Sequence, residues 1–121
     1  MSALTVIGIG LLGGVGAIAR FALDRAVSVR VDSPFPTGTL AVNCLGATIL
    51  GVLVGATTNS EVLWLFATGL IGAFTTFSTW MFETHRLAEE GELRLAALNY
   101  GVSVVAGIGL AWLGMQLGGA L

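Results

Sequence analysis

Lysine is absent from this sequence, and charge of any kind is sparse. Charged residues make up 10% of the 121 positions and apolar residues 55%, whereas a soluble domain carries roughly 25% charged residues. That balance excludes a soluble fold and predicts an integral membrane protein of one domain. The net charge is −2 and no basic patch exists, which argues against a nucleic-acid partner. With Cys44 as the only cysteine, no intrachain disulfide can form, and its apolar segment suits a small core residue. His85 has no second histidine or cysteine to join, so a transition-metal site of the usual kind is not expected. The first apolar stretch lacks a basic leader and runs on to Arg20. It reads as a retained first span rather than a cleaved signal.

Four apolar runs remain, over roughly residues 3–23, 37–57, 62–82 and 95–118, each near the 20 residues a membrane helix needs. The first carries a GxxxG pair, Gly10 and Gly14, which lets helix backbones approach closely. Arg20 closes that run. It either snorkels to the headgroups or anchors an anion near a pore entrance. Residues 24–31 suit a short interfacial helix, and Pro34 and Pro36 stop any helix there. The second run holds Gly46, Gly51 and Gly55, and one oddity, Asn43, whose amide donors must be used inside hydrocarbon. In the fourth, Asn99, Ser103 and Gly107 recur at a spacing of four and share a helix face.

The third run is the most informative. Thr75, Thr76, Ser78 and Thr79 put four hydroxyls in five positions, just after Gly69 and Gly72. Hydroxyls in hydrocarbon need protein or a wet cavity as partner. Glycine and β-branched threonine both weaken a helix. A helix broken near its middle, with freed carbonyls that bind ions, is one reading. A small-residue packing face with each hydroxyl on its own i−4 carbonyl is the other. The buried polar groups are hydroxyls and amides, with no acid or lysine deep in any span. Such donors suit a small anion held weakly enough to leave. Electropositive ring edges of Phe74, Phe77 and Trp80 can add to them. Freed carbonyls would suit a hard cation such as sodium.

Three stretches resemble the Fluc fluoride channels. They are Gly13-Gly14-Val15-Gly16-Ala17-Ile18-Ala19-Arg20, then Pro36-Thr37-Gly38-Thr39-Leu40-Ala41-Val42-Asn43-Cys44-Leu45-Gly46, then Gly72-Ala73-Phe74-Thr75-Thr76-Phe77-Ser78-Thr79 followed by Glu83. The resemblance spans nearly the whole chain. It implies an all-α membrane protein with a broken third helix, working in the cell membrane as an antiparallel dimer that exports fluoride passively and relieves fluoride toxicity. It implies a structural sodium on the backbone carbonyls of Gly72 and Thr75. It places Asn43 and Phe77 on the fluoride path, with Ser78, Thr79 and Ser103 as a polar track. Trp80 departs from the pattern, since the family often has a second phenylalanine there, and its bulk bears on the aromatic box and on conduction rate. The resemblance also implies that some members pair two related chains of opposite orientation. Here Arg25, Arg30, Arg86 and Arg94 fall in loops one and three, with no basic residue on the other side. The positive-inside rule then predicts one fixed orientation, with both termini outside the cytoplasm; with the resemblance, that implies an oppositely biased related chain as dimer mate, an oppositely oriented copy of the same chain being the alternative.

Two other classes compete. A proton-coupled small multidrug exporter shares the length and span number but needs an intramembrane acid, and the first span has none. A non-transporting membrane assembly factor would use the same glycines and hydroxyls for packing alone. An enzyme is not expected, because no nucleophile–base pair or carboxylate pair shares a depth in the spans.

Overall fold

Ser2 opens the first helix by accepting a hydrogen bond from the Thr5 amide at 3.1 Å, the usual N-cap arrangement. In the structure, a computed structural model describing residues 1–121, this helix, α1, runs over Ala3–Arg30. The stretch expected as a separate interfacial helix is continuous with it. No glycine or proline lies between Gly16 and Pro34, so nothing ends the hydrogen-bond ladder sooner. At ~1.5 Å per residue α1 is about 42 Å long, well beyond the hydrocarbon thickness of about 30 Å. Its last turn is closed by Arg30, which donates to the Ala26 carbonyl at 3.1 Å.

Helix α2 covers Thr37–Ala56 and starts directly after Pro36, where the fixed φ of proline suits a helix entry. The third span begins with a short turn, α3 (Ser60–Val62), capped by Asn59. It continues as a π-helix over Leu63–Ile71 and one α-turn, α4 (Gly72–Phe74). Thr75 is then extended, at φ −82 and ψ 161, and α5 resumes over Ser78–Glu89. Gly91 supplies the turn at φ +82, a conformation that costs glycine little. The last helix, α6, covers Leu93–Gly119. Four helical spans are thus long and apolar enough to cross a membrane.

Glycines bring the spans together in pairs. A Cβ at Gly51 would strike the Ala111 carbonyl and come within 3.0 Å of the Met115 nitrogen, and one at Gly114 would lie 3.0 Å from the Val52 nitrogen. The α2–α6 seam is therefore backbone against backbone, as small residues permit in lipid. Gly16 does the same for α1 against Leu70 and Phe74 of the third span, and Gly69 lies against Ile9. The GxxxG pair Gly10 and Gly14 does not take part: a Cβ at either meets nothing within 4 Å. It points away from the protomer because Gly13 and Gly16, on the adjoining face, take the packing role. At the opposite end from the α1 C-terminus, the Thr5 hydroxyl donates to the Glu61 carboxylate and ties the start of α1 to the start of the third span.

The most buried side chains are Val42, Asn99 and Thr5. Two of those three are polar, while large apolar side chains such as Leu4, Ile18, Val105 and Ile108 are exposed. That inversion is what hydrocarbon as solvent requires, since polar groups can be satisfied only inside the protein.

Candidate functional site

The non-helical residues Thr75, Thr76 and Phe77 are held by a side chain from another span. Asn43 on α2 donates from Nδ2 to the Thr76 carbonyl, and its Oδ1 accepts from the Thr76 amide, both at 2.9 Å. The amide thus pairs with one peptide unit as a neighbouring strand would, satisfying two backbone groups that the helix has released. The second N–H of Asn43 has no protein partner. Gly46, one turn further along α2, lets Thr75 approach: a Cβ there would run into Thr75 Cγ2.

The surrounding hydroxyls divide their work. Thr75 donates back to the Ile71 carbonyl at 3.1 Å. Thr76 Oγ1 accepts from the Thr79 amide at 3.2 Å, so it caps the first turn of α5, and it lies 3.5 Å from the Ser78 hydroxyl. The Thr76 amide is spent on Asn43 and the Thr79 amide on Thr76. The Gly72 and Thr75 carbonyls consequently accept no backbone hydrogen bond. Two free carbonyl oxygens so close in the chain are hard donors of the sort that suit an alkali cation. A Cβ at Gly72 would meet only the Ala67 carbonyl, at an ordinary 3.7 Å, so the protomer's own packing does not require glycine there.

Two cavities meet at this point. One, of about 310 Å³, is lined by Asn43, Gly72, Thr75, Thr76, Phe77 and Trp80, with α2 and Ile71 completing it. The other, of about 200 Å³, is lined by Arg20, Phe21, Asp24, Thr39, Val42, Thr76 and Thr79. Thr76 lines both. Beyond the second, Thr39 donates to the Glu83 carboxylate. On the first, Phe77 is 69% exposed and stands edge-on to Trp80 with ring centres 5.6 Å apart. Trp80 in turn stacks on Tyr100 at 5.4 Å, and its indole N–H donates to the Asn99 carbonyl at 3.1 Å.

Of the residues singled out in the sequence, the structure gathers Asn43, Gly72, Thr75, Phe77 and Trp80 around one cavity, and Arg20 and Thr79 around the other. Ser78 is exposed on the first turn of α5, and Ser103, half-buried one turn beyond Asn99, lines neither. Thr76 and Thr39 are additions. Thr76 carried a signal in its hydroxyl cluster, but its place between two cavities depends on the Asn43 contact. Thr39 meets Glu83 only because α2 and α5 pack side by side.

A sequence model of the family described as "CrcB-like protein, Camphor Resistance (CrcB)" matches residues 7–115. The "Fluoride-specific ion channel FluC 2" of Mycolicibacterium paratuberculosis is 51% identical over 111 residues, covering 92% of this chain and 91% of the relative. The protein of the same name from Mycobacterium tuberculosis is 48% identical over 119 residues, 96% of this chain and 94% of the relative. The "Fluoride-specific ion channel FluC" of Citrifermentans bemidjiense is 39% identical over 118 residues, 93% and 95% respectively. With a family match over nearly its whole length, such relatives and four spans, the chain belongs to the CrcB family of multi-pass membrane proteins, which includes the FluC channels.

Proposed function

We propose that the chain is a subunit of a fluoride-selective channel through which fluoride leaves the cytoplasm down its gradient. Its relatives are named as ion channels, a class that carries out no covalent chemistry, and the chain is accordingly not an enzyme. The observation that carries the reading is the cavity at the non-helical residues of the third span. Asn43, whose amide keeps one N–H that no protein group takes, lines it together with the aromatic rings of Phe77 and Trp80. A dehydrated fluoride needs strong donors and weak overall retention. One N–H, hydroxyls and ring edges supply the first, and the absence of a fixed cation in the cavity supplies the second.

In this reading residues 75–77 are a functional break in the third span. The anion passes Phe77 and Trp80, meets Asn43, and continues by Thr76 and Thr79 toward Arg20, whose guanidinium attracts it to that mouth. Ser78 and Ser103 extend the track where a second copy completes the wall. The reading places two copies antiparallel, with a sodium ion on the Gly72 and Thr75 carbonyls of each. The unpaired state of those carbonyls supports that fit. Bound there, sodium would neutralise converging carbonyl dipoles and hold the break in shape. Efflux from liposomes containing the purified protein tests the proposal: fluoride should leave and chloride should not. Equal efflux of both, or of neither, would reject it.

A further inference from the structure

Asn99 is 1% exposed, and its Oδ1 accepts no hydrogen bond. Its Nδ2 donates to Thr84 Oγ1 at 2.8 Å. Thr84 Oγ1 donates to the Trp80 carbonyl at 2.8 Å. The Trp80 indole N–H returns to the Asn99 carbonyl at 3.1 Å. These three bonds form a closed circuit between α5 and α6, with Trp80 engaged at both its main chain and its ring. The direction of the circuit is set by Thr84. A hydroxyl has one proton, here given to Trp80, so toward Asn99 it can only accept. Turning the Asn99 amide over would set two acceptors face to face.

An apolar side chain at position 99 would avoid burying an unpartnered amide oxygen, which native structures rarely tolerate without a reason. It would also open the circuit. The circuit leaves the indole N–H, the strongest donor on that ring, occupied by protein. Trp80 therefore presents only its ring to the cavity beside Phe77.

We infer that Thr84 and Asn99 are positioning residues for Trp80: their closed circuit holds the indole against Phe77 with its N–H turned away from the cavity, and so sets anion discrimination. The discrimination half rests on the fluoride-channel reading, while the holding of Trp80 does not. In a Thr84→Val chain the Asn99 amide loses its only partner, so the side-chain tie between α5 and α6 is gone and the Asn99 main-chain carbonyl that holds the indole N–H is free to shift. The indole then loses its fixed geometry and can offer its N–H to larger anions.

The test uses the full chain with Trp64→Phe and Trp112→Phe, so that Trp80 is the only tryptophan. Thr84→Val should lower the fluorescence anisotropy of Trp80 and raise its quenching by acrylamide. It should reduce the fluoride-over-chloride efflux ratio by about threefold or more, a size usual for coupled members of one network. Thr84→Ser, which keeps the hydroxyl, should restore both readouts. With Trp80→Phe already present, Thr84→Val should leave the ratio unchanged, a result that general loosening of the packing would not give. An unchanged anisotropy with Thr84→Val, or an equal fall in the ratio with Trp80→Phe present, overturns the inference. Should Thr84→Val fail to fold, the indole N–H resonance of the otherwise unaltered single-tryptophan protein decides. It should exchange slowly with deuterium and stay fixed as chloride is added; fast exchange, or a shift on titration, rejects the positioning role. If the unaltered protein passes no fluoride, the channel reading fails, while the fluorescence and exchange results still stand on their own.

Discussion

Asn43 spends both ends of its amide on a single peptide unit, which makes its substitutions unequal. Asn43→Asp would set a carboxylate where Nδ2 now donates to the Thr76 carbonyl at 2.9 Å, so that two acceptors face each other, and would add negative charge beside the proposed anion path. Asn43→Ser loses the reach but brings no charge and keeps one donor. Stranding a buried hydrogen-bonding group costs about 1–3 kcal/mol. Asn43→Asp should therefore lower fluoride efflux by roughly tenfold or more, with Asn43→Ser falling between it and the unaltered protein. Normal flux with aspartate would reduce Asn43 to a packing residue. The sequence alone marked this asparagine as anomalous, because an amide in hydrocarbon must find partners. It did not show that the partner is the Thr76 backbone, since that depends on how α2 lies against the third span. The Thr39–Glu83 and Asn99–Thr84 contacts were illegible for the same reason: each joins residues brought near only by helix packing.

Glycines divide the helices into faces with different duties. Gly51→Ala should open the α2–α6 seam, because its Cβ meets the Ala111 backbone and a backbone cannot rotate aside as a side chain can. Overpacking of this kind costs about 1–3 kcal/mol. Gly107→Ala, with nothing within 4 Å of its Cβ, should change protomer stability by less than about 0.5 kcal/mol. Thermal unfolding of both variants in detergent checks the contrast, and similar midpoints would mean the seam is looser than described. The four spans were legible because uncharged runs have few other meanings. The reach of α1 to Arg30 does not follow from its apolar run, because charge ends the apolar part of a helix and not the helix itself. The π-helix over Leu63–Ile71 left no trace in the sequence. Its Gly69 lies against Ile9 of α1, a contact that only tertiary packing defines.

As a whole, the protomer leaves Gly10, Gly14, Gly101, Gly107 and Gly109 with open space where a Cβ would stand. Gly72 is nearly as free. Gly72→Val should therefore keep the helical content of the protomer yet abolish fluoride efflux and dimer formation, if two copies meet at that residue. A variant that dimerises and conducts normally would remove Gly72 from the axis. Orientation is the other property of the whole. The Thr5–Glu61 contact puts the chain start beside the second loop, and Arg25, Arg30, Arg86 and Arg94 all belong to the opposite end. The positive-inside rule predicts termini outside the cytoplasm. Single cysteines placed near each terminus of a Cys44→Ser chain should be labelled from the outer face of intact cells alone. Equal labelling from both faces would show dual insertion and would favour a pair of identical copies.

The shared wall at Thr76 has an electrical meaning. Wet cavities conduct, so little of the membrane voltage falls along them. If both cavities hold water in the assembled channel, as the proposed function requires, the one residue bordering both would concentrate the drop across Thr76 and the Asn43 amide instead of letting it spread over about 30 Å of hydrocarbon. An elementary charge gains or loses about 2.3 kcal/mol per 100 mV in crossing a membrane, and on the proposed path nearly all of that work would be done in a single short step past one peptide unit.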